Sequence, residues 1–95
     1  MRFHPKTERL LDQMGTNIET WRVIQGLTAS EVADRAGITR NTLRTIESDP
    51  ARASFGNVLA VLAVLGIDEA LAAAIDPAQS VRGQSLLTAK ARGEI

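Results

Sequence analysis

The sequence predicts an all-α protein of five helices with a short extension at each end. Apolar residues recur at steps of three and four, which is the spacing of helices with one buried face. The aromatic, alternating runs typical of strands are scarce, since the chain has one Trp, two Phe and no Tyr. Between the apolar stretches lie Gly26, Gly37, Pro50, Gly66 and Pro77, which end one helix or precede the next.

The composition is that of a single soluble domain. Of the 95 residues, 44% are hydrophobic and 23% charged, and the formal net charge is zero. The absence of cysteine excludes disulfides and thiolate metal sites, and no cofactor or metal is expected. The longest apolar run, residues 58–65, is far below the roughly 20 residues of a membrane span. No apolar secretory leader is visible, so a cytoplasmic protein is expected.

The first helix is predicted from Pro5 to just before Gly26, because proline favours the first helical position and glycine the position after the last. Gly15 lies inside this span and either divides it into two helices or weakens one helix by ~1 kcal/mol. Trp21 is expected in the core. Helical spacing relates six apolar residues: Leu10, Leu11, Met14, Ile18, Trp21 and Leu27.

A capping box predicts the start of the second helix. In this motif the Thr28 hydroxyl accepts from the third backbone amide of the helix, and the Glu31 carboxylate accepts from the amide of Thr28. Gly37 ends the helix. Its apolar face is formed by Val32, Ala33 and Ala36.

The third helix is predicted from Arg40 to about Ser48, capped by Thr39, with Leu43 and Ile46 facing inward. A short turn that contains glycine sets two such helices at roughly 90–120°. The outer face has the chemistry that reads base edges, since Arg pairs with guanine and Asn with adenine in the major groove. The residues predicted to contact DNA bases are Arg40, Asn41, Arg44 and Thr45.

Ser54 is predicted to cap a fourth helix, which ends at Gly66. Asp68 is predicted to cap a fifth helix over residues 69–75. The inward residues expected on the fourth helix are Val58, Leu59, Leu62 and Leu65. A dimer seam is expected on another face of that helix, at Val61 and Val64.

The chain after Pro77 shows no clear period and is interpreted as a mobile or partner-dependent tail. The expected organisation is an N-terminal helical extension over residues 1–13, a main domain over residues 14–76 and a C-terminal tail over residues 77–95.

Residues 14–66 resemble the Xre-family, Cro/cI-type helix-turn-helix domain of bacterial and phage regulators. The resemblance implies a lambda-repressor-like fold and a double-stranded DNA partner. It also implies that Thr28, Ser30, Thr39 and Arg52 contact DNA phosphates. The matching residues are Arg22, Gly26-Leu27-Thr28, Glu31-Val32-Ala33, Ala36-Gly37-Ile38-Thr39, Leu43, Ile46-Glu47, Leu59, Leu62 and Leu65-Gly66.

The resemblance also implies that Arg22 and Glu47 form a charge pair between the first and third helices. One position departs from the family pattern. The second helix commonly begins Thr-Gln, and that Gln contacts the DNA backbone, whereas this chain has Ala29. The phosphate contact at this position is therefore weakened, or Ser30 and Arg52 compensate for it.

Two classes of function stay open. The first is a DNA-binding regulator, most simply a repressor, that binds a two-fold operator as a homodimer. The two copies are expected to contact each other through the fourth and fifth helices and the tail. The second is a protein-interaction module, because residues 49–77 and the basic tail are similar to HipB-like antitoxins. That similarity implies autoregulation and a HipA-like kinase toxin as partner. No nucleophile has a plausible base, so no catalytic residue and no enzyme activity are predicted.

Overall fold

The computed structural model describes residues 3–95, and this part of the chain is all-helical. Six α-helices follow one another, with a 3₁₀ turn before the fourth and another before the sixth. Their bounds are α1 Pro5–Ile24, α2 Ala29–Ala36, α3 Arg40–Ser48, the first 3₁₀ turn Pro50–Arg52, α4 Phe55–Leu65, α5 Asp68–Ile75, the second 3₁₀ turn Pro77–Gln79 and α6 Val81–Ala91.

The predicted fold class is confirmed, and the predicted ends of α2, α3 and α4 match the structure. The side chains of Thr28, Thr39 and Ser54 each accept a hydrogen bond from a backbone amide of the first helical turn. Gly37 and Gly66 have φ values of 73° and 80°, a left-handed conformation that L side chains rarely adopt. Local capping chemistry therefore sets where these helices begin and end.

The core lies where α1, α2, α3 and α4 meet. Its fully buried members come from α2, α3 and α4, and Ile18 of α1 closes it. The buried apolar residues are Ile18, Val32, Ala33, Leu43, Ile46, Val61, Leu62 and Leu65. Because α3 contributes Leu43 and Ile46, its orientation is set by the packing of the core.

Two expected core positions are wrong. On α4 Val61 is buried together with Leu62 and Leu65, so it cannot form a dimer seam, whereas Leu59 is 38% exposed. Trp21 is 42% exposed and lies on the wall of an open groove. Leu59 and Trp21 belong to helices whose apolar residues extend over more than one face. Which face turns to the core depends on the neighbouring helices.

The first helix is continuous through Gly15, so the expected boundary after residue 13 falls within one helix. Gly15 is buried where α1 crosses the end of α3. A Cβ at this position would lie 2.6 Å from the backbone oxygen of Glu47 and 3.1 Å from Cδ of Pro50. Glycine is therefore required here by close approach rather than by backbone conformation.

The C-terminal part differs most from the expectation. Asp68 is the first residue of α5 rather than its cap, and the capping position is Ile67, which has no side-chain acceptor. The segment interpreted as a mobile tail holds a sixth helix, α6, whose first turn is capped by Ser80. Residues 3–95 thus hold six α-helices where five were predicted.

Candidate nucleic-acid interface

Helix α3 packs on the core through one face, which carries the fully buried Leu43 and Ile46. Its opposite, outer face is exposed. Arg40, Asn41 and Arg44 are all exposed. Both arginines are available for a new partner, since neither Arg40 nor Arg44 has a carboxylate of residues 3–95 within 4.0 Å. The helix thus presents three unengaged side chains with base-reading chemistry.

Thr45, the fourth predicted base contact, is only half exposed. Its hydroxyl donates to the backbone oxygen of Asn41 at 3.2 Å, within the same helix. This bond leaves the hydroxyl oxygen free to accept one. The structure therefore places Thr45 at the edge of the exposed face, and its contact with a base stays a prediction.

The turn between α2 and α3 is held by backbone bonds. The amide of Ile38 donates to the carbonyl of Ala33 at 3.0 Å, and that of Gly37 to Asp34 at 3.2 Å. Ala33 is 1% exposed, so its small side chain lies directly in the packing between the helices. The angle between α2 and α3 is accordingly fixed before any ligand binds.

A bidentate ion pair joins α1 to α3. Arg22 donates from Nε to Oε2 of Glu47 at 2.8 Å and from Nη2 to Oε1 at 3.1 Å, and its Nη1 donates to the Leu27 carbonyl at 3.2 Å. The side chains of Arg22 and Glu47 are only 14% and 10% exposed. The hydrogen bond to Glu47 raises the pKa of Arg22, while burial acts in the opposite direction. This pair connects α1, the following loop and α3.

The residues predicted to contact phosphates lie at helix starts and in the first 3₁₀ turn. Thr28 and Thr39 accept bonds from Glu31 and Thr42 at 3.1 and 3.0 Å, which leaves the Thr28 hydroxyl proton able to donate outward. Ser30 is half exposed in the first turn of α2. Arg52 is exposed and has no ion pair within residues 3–95. Their contacts with DNA stay predictions.

Ala29, the position that departs from the family pattern, packs against the core and offers no polar side chain. Sequence reasoning missed another connection nearby. Gln25 donates from Nε2 to the carbonyl of Leu65 at 2.9 Å, which links the end of α1 to the end of α4. No local sequence signal identifies that bond, because the two residues meet only in the folded chain.

Acid is expected to weaken the start of α2. The Thr28 backbone amide donates to Glu31 at 2.9 Å and thereby lowers the pKa of this carboxyl below its ordinary value of 4.5. A lowered folded pKa gives stability that is present above the ordinary pKa and is lost as the pH falls through the folded pKa. Wild type should melt above Glu31→Gln at pH 7, and the gap should close towards pH 2. A gap independent of pH would contradict the charge effect.

The arrangement of capped α2, glycine turn and exposed α3 defines a helix-turn-helix DNA-binding module. The helix-turn-helix family model matches residues 18–71, more than half of the chain. The chain therefore belongs to the helix-turn-helix family, of the Xre, Cro/cI type, and is a DNA-binding regulator. Comparison with curated proteins and with solved structures gave no match. No helix within residues 3–95 is long and apolar enough to cross a membrane.

Proposed function

We propose that the protein is a sequence-specific transcriptional repressor that binds a two-fold operator, with α3 in the major groove. The observation that carries the proposal is the exposed outer face of α3, on which Arg40, Asn41 and Arg44 are free to bond. An Arg fork suits guanine and an Asn amide suits adenine. Because Leu43 and Ile46 fix the inner face, these side chains are presented by a rigid element.

Phosphate contacts in this proposal come from Thr28, Ser30, Thr39 and Arg52. Backbone contacts set position and orientation on the duplex, whereas base contacts select the sequence. The zero net charge of the chain means that phosphate binding depends on this local set rather than on a general positive field. Occupation of an operator that overlaps a promoter is sufficient for repression, and the DNA-binding unit spans most of this chain.

A homodimer follows from the size of the interface. Specific protein–DNA complexes usually bury about 1,000–2,500 Å² of protein surface, more than the nine-residue α3 and its flanking caps can supply. Two copies related by a two-fold axis double the contact and place the two α3 helices in half-sites about one helical turn apart.

The test separates base reading from phosphate binding. Binding is measured to a duplex selected by the wild-type protein from a random pool, and to its single-base variants, at several salt concentrations. Arg40→Ala and Asn41→Ala should each lose about 1–3 kcal/mol of discrimination at particular base pairs. Arg52→Ala should weaken all sequences equally and lower the salt slope by roughly one per chain.

Arg9→Ala on α1 is the matched control, because it removes an exposed arginine that belongs neither to the proposed DNA interface nor to α6. It should leave base preference unchanged. If Arg40→Ala and Arg52→Ala gave the same uniform weakening, α3 would not read bases. The antitoxin-type interaction module would then be the better hypothesis.

A further inference from the structure

An apolar groove of about 510 Å³ lies between α1, the first 3₁₀ turn, α4 and α5. Buried Ile18 and Leu62 form part of its lining, and its rim carries Met14, Trp21 and Phe55, which are 47%, 42% and 65% exposed. Exposed apolar side chains that cluster in a groove are typical of interaction sites. No described residue after Leu71 lines the groove, so the C-terminal part of the same chain does not cover it.

The C-terminal arm, residues 76–95, extends from the domain. Its helix α6 packs mainly against the second 3₁₀ turn. The radius of gyration is 16.4 Å, against about 12 Å for a compact chain of this length. A helix of 11 residues is marginal alone in water, and α6 leaves Leu86 and Leu87 about half exposed. The arm therefore lacks the apolar partner that its helix needs.

The base of the arm is held rigidly. Gly83 packs so closely on Pro77 that a Cβ there would overlap the Pro77 carbonyl. The Gln84 side chain donates to the Ala78 carbonyl at 2.8 Å, and Ser80 caps the amide of Gly83 at 2.9 Å. These contacts fix the direction of α6 relative to the second 3₁₀ turn, and no residue of α6 lines the groove of its own chain.

We propose that the groove receives α6 of a second copy, so that two chains exchange their arms. This inference rests on the homodimer proposed above and supplies its interface. The lengths agree, because α6 is about 16 Å long and the α1 wall from Thr7 to Trp21 is about 21 Å.

The buried area reaches the least that a dimer interface needs. Half of the side of a cylinder about 11 Å wide and 16 Å long is roughly 300 Å². Two such helix faces and the two grooves, whose exposed lining is somewhat smaller, then bury roughly 1,000 Å², about the least expected of a biological interface.

Charge complementarity favours the arm as the occupant. Beyond Asp76 at its base, the arm carries three cations, Arg82, Lys90 and Arg92, and one acid, Glu94. A notch that shares Leu11 and Ala51 with the groove is lined by no cation but by three acids: Glu8, Asp12 and Asp49. A basic helix with two leucines thus matches an apolar groove with an acidic edge.

Cysteine cross-linking tests the exchange directly, since the chain has no cysteine of its own. Full-length Met14→Cys protein is mixed with a tagged Leu87→Cys protein under mild oxidation. The disulfide-linked heterodimer should form at more than tenfold the yield obtained with Val81→Cys, a control that lies about 120° around α6 from Leu87 and about 140° from Leu86. Equal yields would overturn the proposal, as would linkage within single chains of the Met14→Cys, Leu87→Cys double variant at high dilution.

Sedimentation gives an independent readout. Wild type should have twice the 10.2 kDa mass of the chain, and Leu87→Glu should raise the dimer dissociation constant more than about tenfold, while Val81→Glu should not. If Leu87→Glu stays dimeric and still binds the selected duplex, the exchange is wrong and the proposed function stands. If wild type dimerises as described but binds no DNA, the proposed function fails and the exchange stands.

Discussion

Replacing Glu47 with alanine is expected to lower the free energy of unfolding by about 3 kcal/mol, the lower end of the cost of breaking a buried ion pair. The variant loses both hydrogen bonds that Arg22 donates to Glu47 and leaves a guanidinium that is only 14% exposed. We expect this end of the range because Arg22 keeps its bond to the Leu27 carbonyl and lies 3.8 Å from Glu19. The melting temperature should fall by roughly 12–24 °C for a domain of this size.

Glu19→Ala is the matched control, since it removes the other carboxylate near Arg22. The Glu19 side chain is 54% exposed, so its loss should cost at most about 1 kcal/mol. Thermal unfolding followed by circular dichroism measures both variants. Equal melting temperatures for Glu47→Ala and Glu19→Ala would show that the bidentate pair does not hold α1 against α3.

Alanine at Gly15 and alanine at Gly56 are expected to act in opposite directions. A Cβ at position 15 would lie 2.6 Å from the backbone oxygen of Glu47, and overpacking of this kind costs typically about 1–3 kcal/mol. Alanine recovers ~1 kcal/mol of helix propensity, so the net loss is up to about 2 kcal/mol. Gly56 lies in the first turn of α4, where an added Cβ would meet nothing within 4 Å, so Gly56→Ala should gain up to ~1 kcal/mol.

Urea denaturation gives both changes in free energy on one scale. If Gly15→Ala stabilised the protein as much as Gly56→Ala, α1 would not cross α3 as closely as the structure places it. A change in the urea midpoint without a change in slope would show that the effect lies in stability rather than in the extent of unfolding.

The helix ends of α2, α3 and α4 were predictable because capping is local. Thr28, Thr39 and Ser54 accept from amides within the next three residues, and Gly37 and Gly66 follow the last helical residue. The polar outer face of α3 was predictable for a related reason. Its two buried residues, three apart, define one apolar side and leave the other for solvent or DNA.

The face of α4 was not predictable, because nine of its eleven residues are apolar and no polar stripe marks the outside. Val61 is buried and Leu59 is exposed, and the neighbouring helices, above all α2, decide which face of α4 turns inward. The spacing of apolar residues did not reveal α6, but residues at its two ends mark it as a helix. Ser80 precedes it as a cap, and Gly93, with φ 77°, follows its end.

The continuity of α1 has a thermodynamic consequence. One helix carries Met14 and Trp21 on the wall of the groove, and Gly15 and Arg22 at its contacts with α3. If occupation of the groove changes the affinity for DNA by some factor, DNA must change the affinity for the occupant of the groove by the same factor. Measuring self-association with and without operator therefore reports the coupling energy between the two surfaces, without a variant of either.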